Sequence, residues 1–340
     1  MNVSAAPQDA LIGLDWGTSS LRALRYGADG QVLERRQSHH GITQLPAAGE
    51  AGFVQALAEI AGDWLQAAPR TPLLACGMVG SAQGWREAAY VPIPTSLQQL
   101  SGLCTAVPLA GLDAALGVQA LADQQLLILP GLIERGPAPV LPNVMRGEET
   151  QIFGCLLEHD APRDLVVLLP GTHSKWVSVR ERVITHFDTF MTGEVFAALR
   201  GHTILGRTMA ASESFHEEAF VRGLNVARTA AGAKGMLSTI FSTRTLGLEG
   251  QLPAAQQADY LSGLLIGHEV AAACAQVAQR ADVATQSFWL IGSEGLCARY
   301  TLALRTYGAS QLRTLPQATE QGLWHLAVAR GLVAPAAVAA

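Results

Sequence analysis

Two apolar runs, far apart in the chain, stop at the same dipeptide. One reads Leu11-Ile-Gly-Leu-Asp-Trp-Gly-Thr-Ser-Ser-Leu-Arg22 and the other Leu168-Leu-Pro-Gly-Thr-His-Ser-Lys-Trp-Val177. After each Gly-Thr come small, hydroxylated or basic residues, and then an alternating segment, 21–26 in one case and 176–179 in the other. A buried strand, a tight turn and an antiparallel strand give this pattern. A glycine turn lets backbone N–H groups approach a ligand closely, and neighbouring hydroxyls add donors for phosphate oxygens. Two such turns, one from each half, predict a clamp for a nucleotide triphosphate.

The order of elements around the turns is itself duplicated. After the first, strands over 21–26 and 31–36 flank Gly27-Ala-Asp-Gly30, a hairpin turn. A helix follows from about Glu50, with Phe53, Leu57, Ile60, Ala61, Trp64 and Leu65 on one face, and then a buried strand over 72–78. The second half repeats this with strand 165–169, a hairpin through Arg180-Glu-Arg182, strand 183–187 and a helix from Gly193. It also carries an extra helical block over about 212–244 and a long Ala-rich helix over 258–280. Gly263 and Gly267 predict that this helix packs closely on a neighbour. The Pro- and Gly-rich stretch 130–142 reads as a surface connection, which puts the domain boundary near Asn143. The expected domains are 1–142 and 143–340, with the first nine residues and the Ala-rich end after Val333 as tails.

At 340 residues and 49% hydrophobic, the chain can bury two ordinary cores. A net charge of −5 and a pI near 6.0, with no basic stripe, argue against a nucleic-acid partner. Five scattered cysteines form no CxxC pair, so a disulfide framework and a zinc site are both disfavoured and a reducing cytosol is expected. The first nine residues lack a basic region followed by an apolar core, and no uninterrupted apolar segment reads as long enough to cross a bilayer. A soluble, cytoplasmic protein without a membrane partner is the expectation. P-loop and dinucleotide-binding motifs are absent.

Four motifs in order make a resemblance specific. Gly13-Leu-Asp-Trp-Gly-Thr-Ser-Ser-Leu-Arg22 is similar to the first phosphate motif of the actin-like sugar kinases. Together with Gly80-Ser-Ala-Gln-Gly-Trp85, Arg146-Gly-Glu-Glu149 and Pro170-Gly-Thr-His-Ser-Lys-Trp176 it resembles one family among them, 2-dehydro-3-deoxygalactonokinase, over nearly the whole chain. The resemblance implies two ribonuclease-H-like α/β lobes with an interlobe cleft that closes over ATP and a hexonate. It implies transfer of the ATP γ-phosphate, with Mg²⁺, to the 6-hydroxyl of 2-dehydro-3-deoxy-D-galactonate in galactonate catabolism. The partners are then small molecules, and a homo-oligomer is left open.

Each motif has a functional and a plainer reading. Asp15 ends a very apolar strand, where an ionised carboxylate needs a cation or donors. It either accepts hydrogen bonds from the Thr18–Ser19 turn or positions hydrated Mg²⁺ beside the phosphates, and we read it as the latter. Gly17, Thr18 and Ser19 are assigned to phosphate, with Arg22 as a secondary candidate. Gly171, Thr172, His173, Ser174 and Lys175 form the second phosphate turn. His173 and Ser174, adjacent on an extended strand, point to opposite faces and do not read as a hydrolytic pair. Gly292, Ser293 and Gly295, where a strand opens into a helix, resemble the adenosine motif.

A kinase acting on an alcohol needs a carboxylate within hydrogen-bond reach of the attacking hydroxyl. In sugar kinases this is an Asp after glycine at the head of a helix. Here Gly147 precedes Glu148, a departure from that pattern, so Glu148 is the expected base with Glu149 behind it. In the plainer reading both acids only decorate a helix N-terminus. Ser81, Gln83 and Trp85 are assigned to the sugar-acid pocket, although Trp85 also reads as a core anchor. Arg86 and Arg146 both offer a cation for the substrate carboxylate. Thr192-Gly-Glu194 reads either as a helix cap, with Thr192 satisfying free N–H groups, or as a wall of the cleft.

Overall fold

The computed structural model describes residues 10–335 except 110, 137–140, 159 and 317. The amino-terminal tail and most of the Ala-rich end named above lie outside the described residues. The chain divides into two compact units, one made of 1–161, 180–186 and 317–340, the other of 162–179 and 187–316. The boundary expected near Asn143 is therefore displaced, because 143–161 cluster with the first unit.

The first unit opens with β1 (Leu11–Trp16), β2 (Leu21–Tyr26) and β3 (Val32–Ser38), followed by α1 (Glu50–Ala67) and β4 (Leu73–Cys76). After these come β5 (Val91–Pro92), α2 (Leu97–Gly102), β6 (Thr105–Pro108), α3 (Leu112–Leu116), β7 (Gln125–Ile128), β8 (Leu132–Glu134), β9 (Asn143–Met145) and α4 (Glu148–Glu158). Its main sheet runs β3-β2-β1-β4-β7-β6. β1 pairs antiparallel with β2, opposing Asp15 to Arg22, and parallel with β4, opposing Asp15 to Cys76. The all-buried register of β4 follows from this central position, where both faces are covered. The six apolar residues expected on one face of α1 are all buried, and they form one core with Ile12, Leu14, Trp16 and Leu73.

The stretch expected as a plain surface connection contains β8, which lies between β5 and β9 in a small second sheet. Three residues of strand are too short for a periodic signal to register.

The second unit holds β10 (Asp164–Leu169), β11 (Ser174–Arg180) up to Val179, β12 (Val183–Phe190) from Phe187 onward, and α5 (Thr192–His202). It continues through α6 (Glu217–Val226), α7 (Met236–Thr239), α8 (Ser242–Leu248), α9 (Gln257–Ala278), β13 (Ser287–Ile291), α10 (Glu294–Thr306) and β14 (Gln311–Leu315). The sheet order is β12-β11-β10-β13-β14. The expected hairpin between β11 and β12 turns through Glu181 and Arg182, both at left-handed φ.

The segment 254–278 is long and apolar enough to cross a membrane, at mean hydropathy 1.3, contrary to the expectation that no segment is. It is a core helix, with 67% of that window buried. Gly263 lets it meet α6: a Cβ there would stand 1.9 Å from the Phe220 carbonyl oxygen. The last helix, α11 (Ala318–Arg330), belongs to the first unit, where Gly322 packs so tightly on α4 that a Cβ would stand 1.9 Å from the Thr150 carbonyl oxygen.

Candidate active site

Within the first unit, three chain segments bring acidic residues together. Asp15 comes from the end of β1 and Cys76 from the end of β4, with the Cys76 Sγ 4.0 Å from Asp15 Oδ1. Gly77 and Gly147 both have left-handed φ, and a Cβ on Gly147 would stand 3.4 Å from the Gly77 Cα. Only glycine tolerates that conformation cheaply at so close an approach. The turn into α4 is thereby held against the end of β4.

Asp15 pairs with Arg22 at 2.6 Å across the β1–β2 hairpin. Burial pushes its carboxyl above the ordinary carboxylate range, opposed by the charge and hydrogen bond of Arg22. The intervening turn closes with a bond from the Gly17 amide to the Ser20 carbonyl, and the Thr43 amide and hydroxyl donate to the Thr18 carbonyl. With the backbone so fixed, the Thr18 and Ser19 side chains stand exposed.

The two glutamates differ sharply. Glu149 is fully buried, and both its carboxylate oxygens accept from the Gly147 amide, at 2.9 and 2.7 Å. Burial first, and the neighbouring Glu148 second, push its pKa up to about 8. Glu148 is only partly buried, and its Oε2 accepts from the Arg146 amide at 3.0 Å.

Along the Gly80 motif, Gln83 and Arg86 are exposed, whereas the Ser81 hydroxyl is buried and without a hydrogen-bond partner. Trp85 does not offer its ring as a platform. It is 8% exposed, stacks on Phe53 with centroids 5.4 Å apart and meets Trp16 edge-on. The core-anchor reading is the one its environment matches, because an indole recovers most by burying its large apolar area. Arg146 donates through Nη2 to the Ala88 carbonyl at 2.8 Å and lies 4.3 Å above the Tyr90 ring.

In the second unit, Gly171, Thr172 and His173 lie at the open turn between β10 and β11, and His173 bonds Glu194. Ser174 and Lys175 are instead buried, at 0% and 5% exposure. Ser174 Oγ bonds the Tyr300 hydroxyl at 3.0 Å, and Lys175 Nζ donates to Thr189 Oγ1 at 2.8 Å. Both side chains are engaged within the fold, so the exposed part of this turn is its first three residues. Thr192 does not cap α5. Met191 occupies that position without a side-chain bond, and Thr192 hydrogen-bonds the carboxylate of Glu269.

Glu269 was not singled out in the sequence. It is buried on α9, where it accepts from Trp176 Nε1 at 2.8 Å and from the Tyr300 hydroxyl at 2.7 Å. It thus ties β11, α10 and the start of α5 together behind the turn. Its one signal was an acid in the apolar middle of a long helix. Gly292, Ser293 and Gly295 are all exposed where β13 gives way to α10, and Gly295 lines an open hollow of about 570 Å³ with Phe215 and Arg299.

Each unit carries a sheet in which the third, second, first and fourth strands lie side by side in that order, with a Gly-Thr turn between the first two. That repeated architecture defines the ribonuclease-H-like, actin-like class of α/β proteins, to which the sugar kinases belong. A family model described as 2-keto-3-deoxy-galactonokinase matches residues 15–326, and the chain belongs to that family. A Rhizobium meliloti (strain 1021) protein named as a probable 2-dehydro-3-deoxygalactonokinase is 37% identical over 296 residues, 87% of this chain and 89% of that one. The 2-dehydro-3-deoxygalactonokinase of Escherichia coli (strain K12) is 35% identical over 297 residues, 87% and 90% of the two chains. A crystal structure carrying the same name, from Sinorhizobium meliloti, superposes with a TM-score of 0.80 at 36% identity, covering 94% of this chain and 98% of that one.

Proposed function

We propose that the protein is a cytoplasmic enzyme that transfers the γ-phosphoryl group of ATP to the 6-hydroxyl of 2-dehydro-3-deoxy-D-galactonate. The observation that carries this is the family match from residue 15 to residue 326, which spans every candidate site residue named here. Glu148 is the base. Its partial exposure and its bond to the Arg146 amide support that role, whereas Glu149 is sealed from any acceptor. As the 6-oxygen bonds to the γ-phosphorus, the bond from that phosphorus to the β,γ-bridging oxygen breaks, ADP leaves, and the hydroxyl proton passes to Glu148.

Gly17, Thr18 and Ser19 supply donors for phosphate oxygens, as do Gly171, Thr172 and His173 in the second unit. Gly292, Ser293 and Gly295 border the nucleoside. Ser81, Gln83, Arg86 and Arg146 serve the sugar acid. Among the described residues no group of three or more His, Cys, Asp or Glu side chains is arranged to hold a metal. A lone carboxylate such as Asp15 suits Mg²⁺ nonetheless, since that ion keeps water and phosphate oxygens as its other ligands. When bound with ATP, Mg²⁺ would neutralise charge on the phosphates. Asp15 would orient it, with Arg22 balancing the carboxylate otherwise.

The test is ADP release by the purified protein with Mg-ATP and a panel of sugar acids. Release only with 2-dehydro-3-deoxy-D-galactonate is expected, while acceptor-independent release or preference for another acid overturns the assignment. Glu148→Gln should lower kcat by about 10²–10⁴-fold with ATP binding retained, and full activity in it would reassign the base.

A further inference from the structure

The sequence leaves two arginines as candidates for the substrate carboxylate, and their environments are unlike. Arg86 is exposed to solvent. Arg146 is held in place by the Ala88 carbonyl and the Tyr90 ring, yet its Nε and Nη1 are buried without a hydrogen-bond partner. No acidic side chain among the described residues pairs with its guanidinium, in contrast to Arg22, Arg35 and Arg36, which each hold a carboxylate. A buried, permanently charged group with unmade bonds is costly, and such groups in native proteins call for an explanation. A second orphan lies beside it. Ser81 Oγ is also buried and unpartnered, and a Cβ on the preceding Gly80 would stand 3.0 Å from Arg146 Nη1. The Ala88 amide bonds the Gly80 carbonyl at 2.9 Å, so Ser81 and the anchor of Arg146 belong to one closed loop.

We infer that Arg146, assisted by Ser81, binds the carboxylate of the acceptor and so sets the preference for a sugar acid over a neutral sugar. This rests on the kinase reading with Glu148 as base. The two roles are joined through one residue: the Arg146 amide holds the Glu148 carboxylate, and the Arg146 side chain is held by Ala88 and Tyr90. A carboxylate offers paired acceptors to guanidinium donors, and charge-assisted bonds of this kind are the strong ones. The two nitrogens are closed to bulk water, so binding of the acid requires the loop over 81–90 to shift.

The experiment compares 2-dehydro-3-deoxy-D-galactonate with its uncharged primary amide in the wild type, Arg146→Gln, Arg146→Lys and Ser81→Ala. The wild type should prefer the acid. Arg146→Gln should raise KM for the acid about 10- to 100-fold, leave KM for ATP unchanged and lose the preference, with partial recovery in Arg146→Lys. Ser81→Ala should raise KM for the acid and not for the amide, which keeps the inference testable if Arg146→Gln fails to fold. An unchanged acid preference in Arg146→Gln, or in the foldable variants if that one is lost, overturns the inference. So does collapse of the preference in Arg86→Gln with Arg146→Gln unaffected. A wild type that phosphorylates neither compound would instead overturn the kinase reading itself.

Discussion

Glu148 and Glu149 are neighbours in sequence with opposite environments. Helix geometry turns adjacent residues about 100° apart, so one of the two faces the Cys76 side while the other reaches the surface. Nothing in the dipeptide says which. The folded pKa of Glu149, about 8, lies above the ordinary value of 4.5. The folded state therefore holds a proton that the unfolded chain has released, and this contribution is complete below about 4.5 and lost as the pH rises through about 8. Between about pH 5 and about pH 9 the wild-type melting temperature should fall relative to that of Glu149→Gln, as differential scanning fluorimetry would record. Parallel curves for the two proteins would mean that Glu149 is ionised throughout. The motif residues whose side chains are engaged within the fold share one cause. Trp85, Ser174 and Lys175 sit in motifs whose backbone approaches a ligand, but the direction of each side chain is set by partners distant in sequence, namely Phe53, Tyr300 and Thr189.

Elements with a strong period were legible; those defined by close contact were less so. The face of α1 and the strand before each Gly-Thr turn followed from spacing alone, and Gly263 foretold a close neighbour without saying that α6 provides it. Gly263→Ala would drive a methyl group into the Phe220 carbonyl and should destabilise the second unit by about 1–3 kcal/mol or more in urea unfolding. The polar network around Glu269 was not legible, because it joins three elements through a single acid on a helix that reads as core. Glu269→Gln places an amide N–H₂ against the Trp176 and Tyr300 donors, and should cost about 1.5–3 kcal/mol. Because the same network braces β11 and the start of α5 behind the Gly171 turn, the variant should raise KM for ATP more than KM for the sugar acid. Equal effects on both would mean that the network supports only the core.

At the scale of the whole molecule, the duplicated order of strands was visible in sequence because each repeat announces itself with a buried strand ending in Gly-Thr. The route of the chain between repeats was not, since β5, β8 and β9 are short and the affiliation of α11 depends on contacts rather than pattern. That helix buries Leu323, Trp324, Leu326 and Ala327 within the first unit and packs on α4 through Gly322. Truncation after Pro316 should therefore remove a wall of the first unit's core, and calorimetry of the product should show the loss or marked lowering of one unfolding transition.

The same placement of α11 governs the order in which the protein can be made. Domains tend to fold from the amino terminus as they leave the ribosome, but here the unit begun first lacks a structural member until the final stretch of chain has emerged. The later unit, whose elements all precede that helix, has every part it needs beforehand, and the earlier one must wait, open on the side that α11 will cover.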